Sequence, residues 1–182
     1  NIITNFKKKN NVNVIFYAQE LLASGGYWVA TTGDKIFAKY GSIIGSIGVS
    51  GLKWFYYNKP TSISSGIFGQ SIETKNGVEI FSTNIGQSKD LYNPFRKPTE
   101  KELNHLNNVI KDIFNDFVSL VSKSRKIEID RIKNNIGALV FNTMQAEKNY
   151  LIDGTLSYDQ LIKKIIKDYN FEDYKLIENS EE

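Results

Sequence analysis

The chain has 182 residues, 41% hydrophobic and 24% charged, with a net charge of +3, ordinary values for one folded domain able to bury about two thirds of its unfolded surface. Cysteine is absent, which excludes disulfides, thiolate metal sites and a cysteine nucleophile. Basic charge is not gathered into the stripe that a nucleic-acid surface needs, and no apolar run approaches the roughly 20 residues that span a bilayer.

The chain opens at Asn1 without a methionine, in a helical pattern (Ile2, Ile3, Phe6) that ends on Lys7, Lys8 and Lys9. The lysines are expected to be a frayed, solvated helix end, and a natural N-terminal part is expected to be missing. Val12 to Ala18 is β-branched and aromatic, as in a buried strand. A short turn follows, and Ser24-Gly25-Gly26 leads into a short helix from Tyr27 to about Gly33. Lys35 to Tyr40 predicts a second strand and Ser42 to Val49 a third, flanked by close backbone contacts. Residues 50–75 carry Trp54, Phe55, Tyr56 and Tyr57, then Pro60 and a loop-like composition, and resemble an insertion. Val78 to Ser82 predicts a strand entered through a turn at Lys75-Asn76-Gly77.

The second half is helical. Thr99 and Glu102 form a capping box, after which Leu103, Leu106, Ile110, Ile113, Phe117, Leu120 and Val121 recur at helical spacing to about Lys123. Ile127 to Asn135 predicts a shorter helix, Leu139-Val140-Phe141 a strand-like link, Thr143 to Asn149 a helix, and Leu151 to Gly154 a closing turn. Tyr158 to Asp168 predicts another amphipathic helix, and Tyr174 to Glu178 a last strand. Met144, Trp28 and Trp54 are expected to be packing residues. Strands interleaved with helices indicate an α/β domain, a single one over residues 1–182.

Elimination narrows the chemistry. The one histidine, His105, lies on the polar face of the long helix among Lys101, Glu102, Asp112 and Asp116, where a solvated role fits better than a triad. One histidine and no cysteine make no metal centre, so neither a metal nor a cofactor is expected. Glu20, Asp34 and Asp90 are scattered singly, and no Walker-type phosphate loop is present. Ser24 remains. A serine followed by two glycines at a strand-to-helix turn can present its hydroxyl beside open backbone amides, where a helix N-terminus favours developing negative charge. A nucleophilic serine without histidine needs another base, and lysine serves when burial favours its neutral form. Lys89, before Leu91, Tyr92 and Phe95, is the candidate. Both features have plainer readings: Ser-Gly-Gly is more often a close-packing turn, and a single lysine is most often solvated.

The strings Ala23-Ser24-Gly25-Gly26-Tyr27-Trp28-Val29-Ala30, Asp34-Lys35-Ile36-Phe37-Ala38 and Gly45-Ser46-Ile47-Gly48-Val49 closely resemble the signal peptide peptidase A family of serine proteases. So do Gly86-Gln87-Ser88-Lys89-Asp90, Asn93-Pro94-Phe95-Arg96-Lys97-Pro98-Thr99, Gln145-Ala146-Glu147 and Leu151-Ile152-Asp153-Gly154. The blocks keep their order from about Val12 to Asp168. The resemblance implies a Clp protease/crotonase-like fold of stacked strands flanked by helices, its first strands absent from this chain. It implies Ser24 as nucleophile, Lys89 as general base and Ser46 as the hydroxyl that orients the lysine, with Gly25 and Gly26 at the helix N-terminus beside the oxyanion. Peptides or proteins are the implied substrates, leftover signal peptides above all. The implied assembly is a homo-oligomer whose sites are shared between subunits, held at the bacterial inner membrane by an N-terminal anchor with the protease domain outside the cytoplasm.

Two departures qualify the match. The segment that carries the family's oxyanion-hole glycines lies upstream of the matched region, and each lost donor costs on the order of 3 kcal/mol in the transition state. Lys89 also follows Ser24 by 65 positions, longer than in compact members, which keeps Lys75 as the alternative base. Two other readings remain: a catalytically inactive binding or scaffold module of the same fold, and an acyl-CoA hydratase-like enzyme, which would use carboxylates.

Overall fold

In the computed structural model, residues 2–58, 64–66, 69–71, 81 and 83–177 are described. The chain divides into two compact units, one made of residues up to Val49 with those from Ile113 onward, the other of Ser50–Asp112. Lys75 and its turn lie outside the described residues, as does the expected strand Val78–Ser82 apart from the exposed Phe81.

The first unit opens with helix α1 (Ile2–Asn10) and strands β1 (Ile15–Ala18) and β2 (Leu21–Ala23). The strand predicted from Val12 starts late because the Asp34 carboxylate takes the Val14 N–H at 2.8 Å. Lys7 is no frayed end: its ammonium meets Asp34 at 2.7 Å and donates to the Thr32 carbonyl at 3.2 Å. Burial works against the Asp34 carboxylate, but bonds from Lys7 and the Val14 N–H outweigh it and hold it below the usual range. The expected turn after Ala18 contains β2, which was not predicted. Helix α2 (Gly25–Ala30) leads to β3 (Lys35–Ala38) and β4 (Ile43–Gly45).

These strands form two sheets. β1, β3 and β8 (Gly154–Thr155) are parallel in that order, while β4 lies between parallel β2 and antiparallel β7 (Val140–Asn142). The chain passes from the first sheet into the second at two places, through Gln19-Glu20 and through residues 39–42. The crossing is stitched by the Ala18 carbonyl, which accepts from the Lys39 N–H at 2.8 Å and from the buried Ser42 hydroxyl at 3.1 Å. This is the α/β architecture of stacked strands flanked by helices that the sequence implies.

Tyr27, Ile36, Ile44, Ile47, Phe117, Val121, Ile132 and Leu151 are fully buried together, each aliphatic or aromatic side chain contributing roughly 1.5–3 kcal/mol. Trp28 stacks on Phe117 at 4.6 Å and 8°, so α2 is fixed against the end of helix α3 (Glu100–Arg125). Helix α4 (Ile129–Arg131) continues as a π-helical turn to Ile136. Helix α5 (Thr143–Lys148) and helix α6 (Tyr158–Asp168) each begin with a complete capping box, Asn142 with Gln145 and Ser157 with Gln160. Two expectations fail. Met144 is 70% exposed, and Tyr174–Ile177 are irregular and exposed, with no partner strand among the described residues.

The second unit holds the irregular segment 50–58, a hairpin of β5 (Ser64–Gly66) and β6 (Gly69–Ser71), the turns at 86–96 and the start of α3. The Thr99–Glu102 capping box forms as predicted, with the Glu102 N–H donating to Thr99 Oγ1 at 3.2 Å and the Thr99 N–H to Glu102 Oε2 at 2.8 Å.

Candidate active site

The parallel register of β2 on β4 sets Ala23 opposite Gly45, so Ser24 and Ser46 are the residues that follow two adjacent strand ends. The Ser24 N–H donates to the Gly45 carbonyl at 2.9 Å, and its own carbonyl accepts the first helical bond, from the Trp28 N–H at 2.9 Å. Between these constraints the backbone turns at φ 51° and ψ −125°, a region costly for any residue with a Cβ. Ser24 occupies the N-cap of α2, yet its hydroxyl caps no amide, and the residue is exposed. Gly25 and Gly26 follow with no nearby atom closer than 3.9 Å to the place of a Cβ. Their N–H groups belong to the first helical turn and lack intrahelical acceptors.

Ser46 also has a positive φ, 55°, and its N–H donates to the Leu139 carbonyl at 2.8 Å while the Ile47 N–H donates to Gly137 O at 3.0 Å. Among the described residues, neither the Ser24 nor the Ser46 hydroxyl makes a hydrogen bond. Gly45 makes the approach possible: at φ 120°, a Cβ there would lie 2.8 Å from the Leu139 carbonyl. Ser24 and Ser46 therefore stand side by side on a backbone pinned from both neighbours.

Beside Ser24, α1 and α2 enclose an apolar cleft of about 570 Å³ lined by Ile2, Ile3, Gly25, Trp28, Val29 and Thr32. The downstream motif residues have structural work. Gln145 closes the α5 capping box, Ala146 is buried, Glu147 accepts from the Thr155 hydroxyl, and Asp153 accepts from the Ile36 N–H at 2.7 Å and from Arg125 at 2.9 Å. Burial opposes ionisation of Asp153, but those two bonds hold its carboxyl below the ordinary range.

Lys89 belongs to the second unit and is exposed; the apolar surroundings expected of a neutral lysine are not supplied around it among the described residues. The turn that carries it is nevertheless tightly defined. Ser88 and Tyr92 have φ of 58° and 66°, and the Ser88 and Asp90 carbonyls accept from the Leu91 and Asn93 N–H groups, each at 3.1 Å. Arg96 forks twice. Its Nε and Nη2 donate to Asp90 at 2.6 and 2.8 Å, and its Nη2 and Nη1 to Glu102 at 2.8 and 2.9 Å. The guanidinium lies 5.1 Å from the centre of the Trp54 ring, whose Nε1 donates to the Asn93 carbonyl at 3.0 Å. Bonds from Arg96, then the Thr99 N–H, hold the Glu102 carboxyl far below the usual range; Arg96 does the same for Asp90.

The Asp90–Arg96–Glu102 cluster was not predicted. Only the acid of its capping box was legible in the sequence; its second partner, Arg96, is set by the fold. His105 is exposed on α3, as expected. Among the described residues no cluster of His, Asp and Glu could hold a metal ion, and no helix is long and apolar enough to cross a membrane.

The model of peptidase family S49 matches residues 6–172. A Methanocaldococcus jannaschii protein that carries the name of a protease is 28% identical over 165 residues, which are 91% of this chain and 49% of that protein. An Enterococcus faecium protein with the name of a signal peptide peptidase is 27% identical over 171 residues, 94% of this chain and 46% of that one. The chain thus spans about half the length of these curated relatives. A solved membrane-bound stomatin-specific protease, a lysine-to-alanine mutant in complex with a substrate peptide, aligns with a TM-score of 0.45 at 15% identity, over 88% of this chain and 56% of that one.

Proposed function

Because the chain belongs to peptidase family S49, we propose that it carries the active-site residues of a serine endopeptidase, with Ser24 as nucleophile and Lys89 as general base. The observation that carries this reading is the backbone at Ser24: a strained, doubly anchored turn holds an exposed serine at an N-cap without using its hydroxyl to cap the helix. Such a hydroxyl is kept for another partner. The neutral Lys89 amine takes the Ser24 proton, Oγ attacks a peptide carbonyl, and the resulting ammonium returns the proton to the leaving amine, leaving an acyl-enzyme that water hydrolyses. Ser46 accepts from or donates to the amine and fixes its direction. The Gly25 and Gly26 amides lie where negative charge develops.

A lysine acts as base only when neutral, and loss of water around it favours that form. The exposed turn of Lys89 gains such cover in a homo-oligomer whose sites combine Ser24 of one subunit with Lys89 of the next. The apolar cleft beside Gly25 suits an extended peptide with apolar side chains, signal peptides among them, and the domain then works at the bacterial inner membrane, outside the cytoplasm.

A fluorophosphonate probe tests the assignment on the purified full-length protein. Labelling should map to Ser24, vanish in Ser24→Ala and slow about 10²- to 10⁴-fold in Lys89→Met. Peptide cleavage retained by Ser24→Ala would refute the nucleophile, and labelling at the wild-type rate in Lys89→Met would refute the base.

A further inference from the structure

We infer that Arg96 is a positioning residue for the proposed base: forked between Asp90 and Glu102, it fixes the turn that bears Lys89 onto the first turn of α3. The inference rests on the reading of Lys89 as base and adds to it the device that holds that base.

The geometry is specific to the lysine turn. Lys89 lies between anchored residues: Asp90 receives both Arg96 Nε and Nη2, and Gln87 accepts from Lys101 Nζ of α3 at 3.2 Å. Glu102 has only 6% of its side chain exposed, and its two oxygens serve Arg96, the Thr99 N–H and the Thr99 hydroxyl. The Gln87 and Asp90 side chains, on either side of the lysine, are thereby tied to the start of one long helix. That leaves the lysine as the free member of a rigid turn, the arrangement that delivers a long flexible side chain to a fixed place. Lysine cannot replace Arg96 here: an ammonium is a point donor, whereas this site needs one planar group that faces two carboxylates in two forks.

The cluster also does more than a helix cap requires. Thr99 and Glu102 complete the capping box by themselves, so Arg96 and Asp90 are surplus to starting α3. What they add is the connection back to the lysine turn.

The test uses the full-length protein and the fluorophosphonate probe, with kinact and KI measured separately. Arg96→Lys preserves charge and should lower kinact at least 10-fold at unchanged KI, with a fall in thermal midpoint too small to account for that loss. Arg96→Ala should fall further and recover part of its rate in millimolar methylguanidinium. If Arg96→Ala does not fold, Arg96→Lys decides. Wild-type kinact in Arg96→Lys, while Lys89→Met is slow, would overturn the positioning role and leave the base assignment standing. Wild-type kinact in Lys89→Met would overturn both. A loss of rate matched by an equal loss of thermal stability in Arg96→Lys would also count against positioning, because a purely structural clamp predicts it.

Discussion

Replacing Ser24 by glycine should stabilise the protein while destroying its proposed activity. At φ 51° and ψ −125° the Ser24 Cβ opposes the backbone, a strain of order 1–3 kcal/mol that glycine does not feel. Glycine also makes the unfolded chain more flexible, which costs about 0.4–1 kcal/mol. The difference leaves a net gain of about 1 kcal/mol. The serine hydroxyl makes no cap bond and the residue is exposed, so removing it subtracts little. Ser24→Ala, which keeps Cβ and hence the strain, should stay within about 0.5 kcal/mol of the parent. Urea unfolding midpoints of the three proteins provide the assay, and for a protein of this size 1 kcal/mol corresponds to about 2–4 °C in Tm. The informative quantity is the gap between the glycine and alanine variants, since both lack the hydroxyl. A glycine variant no more stable than the alanine variant would show that the turn stores no strain, and the argument that this backbone is held for function would lose its physical basis.

Gly45→Ala should destabilise by about 2–4 kcal/mol, because its Cβ would meet the Leu139 carbonyl at 2.8 Å at a φ of 120°; a midpoint shift under 1 kcal/mol would refute the close approach. Tyr27→Phe should cost about 1–2 kcal/mol, since the fully buried Tyr27 hydroxyl donates to Leu151 O at 2.7 Å, and an unchanged urea midpoint would contradict that bond. The Arg96 clamp should fail in acid. Asp90 and Glu102 are both depressed, first of all by their bonds to Arg96; their contribution is therefore complete above the unfolded carboxylate values near 4 and is lost as pH falls through the lower folded values. In a Trp28→Phe background, Trp54 emission should shift to the red below about pH 4, before the rest of the chain unfolds; emission constant down to global unfolding would refute it.

What could be read from the sequence was what is local. The capping box at Thr99 and the apolar face of α3 involve residues three or four apart; the box is found as expected, and of the face Phe117 and Val121 are buried while Leu103 and Ile113 stay exposed. Helix α6 begins and ends where Tyr158 and Asp168 were placed. β2 was missed because it is three residues long and exists through pairing with Ile43–Gly45, a partner 22 positions away. Composition misled at Tyr174, where the run to Ile177 has no partner strand among the described residues, and at Met144, whose short helix turns it outward.

The site divides along the same line. Ser24 was visible as a motif, but its positive φ was not, because serine is not a residue whose presence announces that conformation. That Ser46 stands next to it depends on register, a property of two strands and not of either string. The Arg96 fork is the instructive omission. Asp90 and Glu102 each lie six residues from Arg96, a spacing that no helix or strand period selects, and only the consecutive turns at 88–93 fold it into contact. A capping box whose buried acid has a second partner is thus more than a helix start. Here its surplus bonds lead to the turn of Lys89, so a local signal, followed one residue further, reaches the proposed base.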